Sequence, residues 1–224
     1  SSSNILENGT ILIRDGLIEN VGARINIPDD ATIIDMTGKT IYPGFIESWY
    51  EYHSSLKDDN HNRHWNFKVN ATKDLSKLYQ PIKKDINSLR SLGFTSAHVV
   101  PDSGVFQGST CLIQLNDDVD LINNSIGQKI SYEVDGWSSD KYPNSLLGVV
   151  ALLRQTFIDA NWYFNAKKQL KKYPSKNMPL RINDDLNVIG NWMEKNKPFI
   201  FDTKHELSLL RSIQLGKEFN LNIW

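Results

Sequence analysis

Residues 40–51 read TIYPGFIESWYE, and the division of this stretch decides the fold. Apolar residues flank a Pro43-Gly44 interruption, so the pattern predicts a strand over 40–46 that closes one structural unit while Ile46 opens the next. Upstream lie only short strands and turns. TILIR (10–14) alternates, Asp15-Gly16 carries the signature of a type I′ hairpin turn, and LIENV (17–21) alternates again. Pro28-Asp29-Asp30 marks a second turn, and ATIID (31–35) predicts a third strand. Residues 1–42 therefore read as a small β domain.

Downstream the pattern changes to an alternation of strands and helices. DDNHNRHWNFKVN (58–70) is polar and irregular, a long loop of the kind that often carries function. Leu75, Leu78, Ile82, Ile86 and Leu89 fall at helical spacing within 73–92, and Gly93 offers a C-terminal cap. TSAHVV (95–100) follows as a strand, which completes a strand–helix–strand unit of a parallel sheet. Within 105–134 the segments CLIQL, DLI and KISYEV, separated by Asn-rich turns, predict a hairpin insertion. Asn144 caps a predicted helix that runs to Leu170, a second helix spans 184–195, FIF (199–201) is a buried strand, and 206–219 is strongly periodic. A new strand begins at 221–224. A complete eight-unit barrel takes about 250 residues, more than remain after residue 42, so 43–224 predicts an incomplete (β/α) barrel. Its remaining strands are expected from a missing carboxy-terminal half, from another chain, or not at all.

The 224 residues carry a net charge of −1, a sequence pI near 6.5 and 40% hydrophobic residues. That balance leaves no basic footprint for a phosphate backbone or an anionic membrane surface. The best apolar run, SLLGVVALL (145–153), is about half the 18–20 residues of a membrane span. The expected partner is a small-molecule substrate, with no nucleic acid and no membrane; homo-oligomerisation is the other partnership left open. The single cysteine, Cys111, reads as a small buried apolar residue. The chain opens Ser1-Ser2-Ser3 without methionine, compatible with a processed leader, an expression remnant or a trimmed fragment; the first would fit an exported or periplasmic bacterial protein.

Four segments carry a resemblance: NGTILIRDGLIENVG (8–22), Ile27-Pro28, IDMTGK (34–39) and YPGFIE (42–47). In order and spacing they resemble the start of the metal-dependent amidohydrolase superfamily, in particular its imidazolonepropionase-like branch. LGFTSAHVVP (92–101), the turn from Gly104 to Gly108, Tyr142-Pro143, LLRQT (152–156) and Lys217-Glu218-Phe219 are similar as well. The resemblance implies an α/β fold: a small β-sandwich built from both chain ends, followed by a partial amidohydrolase-type TIM (β/α) barrel, here with a β-hairpin insertion. It also implies a divalent metal cofactor, zinc or similar, that activates water against non-peptide C–N bonds.

The family's first strand, Pro-Gly-Phe-Ile-Asp-x-His-x-His, falls on Pro43, Gly44, Phe45, Ile46, Glu47, Ser48, Trp49, Tyr50 and Glu51, so both histidines are replaced. Trp49 cannot ligate a metal; Glu51 can donate oxygen. Counting back from Glu218-Phe219 places a later family histidine on Asp202, also an oxygen donor. Glu51 and Asp202 are therefore the metal-ligand candidates, and His98, Asp102 and Ser103, on or just after strand 95–100, are the substrate-binding candidates. No catalytic residue is assigned.

Other residues have plainer readings. His61 and His64 could pair on a metal, but a solvated loop is the simpler account, and His53 would become a ligand only after a register slip. His205 belongs near a helix N-cap, Arg154 in a structural ion pair, and Trp162-Tyr163 in packing. Trp137 and Tyr142 join that aromatic set by composition only, and the Gly104–Gly108 turn lacks the Lys-Ser/Thr of a phosphate loop. Two functions follow: an amidohydrolase-like, metal-dependent hydrolase with degenerate first-strand ligands, of which this stretch alone is inactive, or a non-catalytic barrel that binds or scaffolds.

Overall fold

The computed structural model describes residues 5–53, 62–133, 141–174 and 179–224. Two compact units divide the chain, Ser1–Pro43 and Gly44–Trp224.

In the first unit, β1 (Thr10–Arg14) and β2 (Leu17–Gly22) pair antiparallel. Asp15 and Gly16 between them both have positive φ, +52° and +76°, the type I′ geometry that the Asp-Gly pair predicts. The expected third and fourth strands do not form. Residues 31–35 find no ladder partner, and Ile33 and Ile34 are 74% and 77% exposed. An alternating segment without a neighbour gains no cross-strand pairs, and alternation alone does not make a strand.

The second unit opens with β3 (Phe45–Tyr52), which begins directly after the Pro43-Gly44 pair instead of being interrupted by it. It runs parallel to β4 (Phe94–Pro101), and the ladder slips between Glu47 and Tyr50, so Ser48 and Trp49 bulge. Two helices connect them where one was expected: α1 (Leu75–Leu78) and α2 (Lys83–Ser91). Pro81 separates them, because it has no N–H to donate and holds the preceding residue out of the helical region. Leu75 and Ile86 still pack into one cluster with Tyr52, Val99 and Cys111.

The predicted hairpin insertion is instead shared between two sheets. β6 (Cys111–Gln114) pairs antiparallel with β4 and carries β7 (Leu121–Asn123) at its edge. β5 (Phe106–Ser109) pairs antiparallel with β8 (Gln128–Ser131), and β8 runs parallel to β9 (Phe199–Asp202). β8 is thus part of the α/β alternation. Helix α3 (Leu146–Lys172) is capped by Ser145, whose hydroxyl accepts from Gly148 N, and not by Asn144. α4 (Asp184–Glu194) and α5 (Glu206–Phe219) follow as expected, and Ile223 forms a parallel bridge to Phe199. Phe157 of α3 packs against Phe106, Phe199 and Phe219, at the centre of a core that includes Ile130, Leu152, Ile189 and Leu215. The architecture is mixed α/β, and among the described residues the strands do not close a barrel.

Candidate functional site

All four residues of β8 are buried, and one of them is a lysine. Lys129 is 1% exposed, and its Nζ donates to the Pro101 carbonyl at 2.8 Å. The same nitrogen lies 3.4 Å from Glu51 Oε1, 3.8 Å from Asp202 Oδ2 and 4.7 Å from the centre of the Trp49 ring. Each partner comes from a strand: Trp49 and Glu51 from β3, Pro101 from the end of β4, Asp202 from the end of β9. The Trp49 indole N–H donates to Glu51 Oε1 at 3.3 Å, which ties the two first-strand residues together. β3 and β9 belong to different hydrogen-bonded sheets, yet their side chains converge on this one ammonium. An ammonium has three hydrogens, and here three oxygen-bearing partners surround it.

This arrangement does not fit the metal that the resemblance implies. Zinc binds oxygen at about 2.0–2.2 Å, so an ion shared by Glu51 and Asp202 would have to enter the space between them that the ammonium fills. It would also meet the like charge of the buried ammonium. Among the described residues, no three His, Cys, Asp or Glu side chains gather where they could hold a metal ion. Both carboxylates lie within 4 Å of the one ammonium.

The substrate-binding candidates divide. His98, in β4, has Nδ1 3.1 Å from the Ser48 carbonyl and Nε2 2.8 Å from Thr110 Oγ1. The carbonyl can only accept, which assigns the proton to Nδ1 and leaves Nε2 to accept from the Thr110 hydroxyl. Burial lowers the His98 pKa first, and the nearby Lys129 charge adds to this, against the Ser48 bond. His98 is therefore a half-buried, hydrogen-bonded histidine that ties the β3 bulge to the junction of β5 and β6. Asp102 lies just past β4: Oδ2 pairs with His53 Nδ1 at 2.7 Å, while Oδ1 is buried with no hydrogen-bond partner among the described residues. Burial lowers the pKa of nearby Lys73, partly offset by the Asp102 charge. Ser103 is half-buried in the same loop. Glu133 and Lys204, past β8 and β9, pair with each other.

His64 is not on a solvated loop but buried, with Nδ1 accepting from Asn66 N at 3.1 Å; His61 lies outside the described residues. His205 is the N-cap residue of α5, and Arg154 meets both oxygens of Glu218 at 2.9 Å. Tyr163 is buried, whereas its neighbour Trp162 is largely exposed; Trp137 lies outside the described residues. Tyr142 stacks on Trp65. Cys111 is buried as expected, and burial pushes its thiol up to about 12.

Sequence reasoning missed Lys129. The available signal was a lysine between Gln128 and Ile130 in a segment with the strand pattern, two residues after Gly127. It reads as solvated until β8 is recognised as a central strand.

No protein-family model matches the chain, and no curated protein matches it. Among solved structures, the chain is similar to an amidohydrolase from Thermotoga maritima, with a TM-score of 0.77 and 21% sequence identity. The match covers 95% of this chain and 58% of that one, so the chain spans somewhat more than half the length of that protein. The fold is therefore of amidohydrolase type over nearly all of the chain.

Proposed function

We propose that this chain, of amidohydrolase-type fold, is a module that binds a small polar molecule at its strand ends and does not carry out metal-dependent hydrolysis. One observation carries this reading: Lys129 Nζ stands 3.4 Å and 3.8 Å from the two carboxylates, Glu51 and Asp202, that occupy family ligand positions. The chemistry of the family needs a water on a divalent ion between such groups. Here that volume holds an ammonium walled by Trp49, with no imidazole on β3 to ligate an ion. The strand-end groups that remain, Asp102 with His53 and Glu133 with Lys204, are polar and suit recognition of a small polar ligand.

The competing reading is a metal-dependent hydrolase of non-peptide C–N bonds, favoured by the convergence of two carboxylates. The test is turnover of a panel of cyclic amides, lactams and dipeptides by the full protein, with zinc, manganese or chelator added. The expected result is no turnover above background in any condition. Chelator-sensitive hydrolysis that Asp202→Asn abolishes would establish the hydrolase instead.

A further inference from the structure

We infer that a cavity between the C-terminal half of α3 and the start of α4 is a second ligand site, one that takes an organic anion with a flat apolar body, such as an aromatic carboxylate. The cavity shares no lining residue with the Lys129 cluster, so its ligand is distinct from whatever the strand ends hold.

Shape comes first. The cavity encloses about 660 Å³, within the range of small-molecule pockets, and Trp65, Trp162, Leu170, Leu180 and Leu186 give it an apolar lining. Hydrogen bonds already hold three segments around it. Asn183 N donates to the Tyr163 hydroxyl at 3.1 Å, Asn183 Nδ2 donates to the Arg63 carbonyl at 3.4 Å, and Asp184 N donates to the Asn62 carbonyl at 2.8 Å. Trp65 is fixed as well: its ring stacks on Tyr142 with centres 6.1 Å apart and 19° between planes, and it lies 5.2 Å from the His64 ring. A concavity built in advance loses little ordering entropy when a ligand enters.

The chemistry of the lining then selects the ligand. Trp65 and Trp162 are 66% and 62% exposed, yet both line this one hollow. Exposed apolar surface concentrated in this way marks a place where something binds, and an indole face accepts a flat ring. Arg63 and Arg181 line the cavity too, and no aspartate or glutamate is among its described lining residues. Asp185, in the adjoining first turn of α4, has both oxygens engaged by Thr72 and His64. A guanidinium presents a planar fork of N–H groups that matches a carboxylate. Indoles for the ring and guanidinium groups for the charge favour an aromatic carboxylate over its neutral or cationic counterpart.

The test is calorimetric titration of the full chain with 2-naphthoate, with the neutral alcohol 2-naphthylmethanol as comparison, alongside sedimentation velocity. Wild-type protein is expected to bind one 2-naphthoate per chain saturably, and the alcohol about tenfold more weakly. Trp162→Ala is expected to weaken both compounds about tenfold, because the ring loses a face to stack on. Arg181→Gln is expected to weaken 2-naphthoate about fivefold and to leave the alcohol unchanged. Both side chains are exposed, so the thermal midpoints of the two variants are expected to match wild type. Glu133→Gln, at the strand ends, is expected to bind 2-naphthoate as wild type does. Absence of saturable binding overturns the inference, as does equal affinity for the alcohol and the anion, or binding that neither Trp162→Ala nor Arg181→Gln weakens. Loss of binding in Glu133→Gln would move the anion to the strand ends, and a dimer that Trp162→Ala dissociates would give the hollow to a second copy of the chain; either result overturns it as well.

Discussion

Lys129 and His98 show how much of the site's chemistry is spent on holding it together. The ammonium is shared among a carbonyl, two carboxylates and an indole, and the imidazole is held between a carbonyl and a hydroxyl, so neither presents an uncommitted group to solvent. His98 and His64 are both held below the ordinary histidine pKa, in each case first by burial. An unfolded histidine takes up its proton near pH 6.5, whereas these two, when folded, take it up only at lower pH. As pH falls through 6.5 the unfolded chain therefore binds more protons than the folded one, and stability drops. The stabilisation is present at pH 7 and above and is lost progressively below about 6.5. Thermal midpoints measured from pH 7.5 to 5 are expected to fall for the wild type and to fall less for His98→Gln. An equally steep fall in the variant would show that His98 titrates as it does in the unfolded chain.

At the scale of elements, one buried carboxylate joins α4 to the loop that precedes α1. Asp185 Oδ1 accepts from Thr72 N at 2.9 Å and Thr72 Oγ1 at 3.1 Å, and Oδ2 accepts from His64 N at 2.9 Å. Asn183 N-caps the same helix through Leu186 N, and Asp184 N donates to the Asn62 carbonyl. Asp185→Ala removes the charged acceptor of the buried His64 N–H and of the half-buried Thr72 N–H and hydroxyl. With hydrogen bonds to charged groups worth about 1.5–3 kcal/mol each, and some relaxation of the loop, the expected loss is about 3 kcal/mol in urea unfolding, with a smaller loss for Asp185→Asn. This staple was not legible in the sequence, where 58–70 reads only as a polar loop. What was legible is what local chemistry decides: the Asp15-Gly16 turn, the strand at 95–100, and the helix over 206–219. Pro81 was in plain view, but apolar spacing on both sides suggested one helix where the proline makes two. The assignment of β8 failed for a different reason. A strand's neighbours are chosen over long range, and until β9 pairs with it, KISYEV looks like any hairpin strand and Lys129 like any surface lysine. Glu51 and Asp202 could be singled out through resemblance; the cation that unites them could not.

Across the whole chain, stability is distributed very unequally between the two units. Among its described residues, Ser1–Pro43 contains a single two-stranded ladder, and Ile13, Leu17 and Ile18 on or beside it remain exposed. An isolated hairpin of this kind is at best marginal in water, since few apolar groups are removed from solvent to offset the entropy of ordering it. Gly44–Trp224 instead encloses the Phe157-centred core, and β4 and β8 are both built largely of buried residues. Local opening costs least where buried apolar contacts are few and backbone hydrogen bonds are exposed. The amides of β1 and β2 are therefore expected to exchange with deuterium within seconds to minutes at neutral pH, while those of β4 and β8 keep protection approaching that of global unfolding. Peptide-resolved hydrogen exchange on the 224-residue chain measures both. Equal protection of Leu12 and Val99 would mean that the hairpin is buttressed well beyond its own ladder, and a protease that cleaves within 10–22 while leaving 94–131 intact would give the expected order independently.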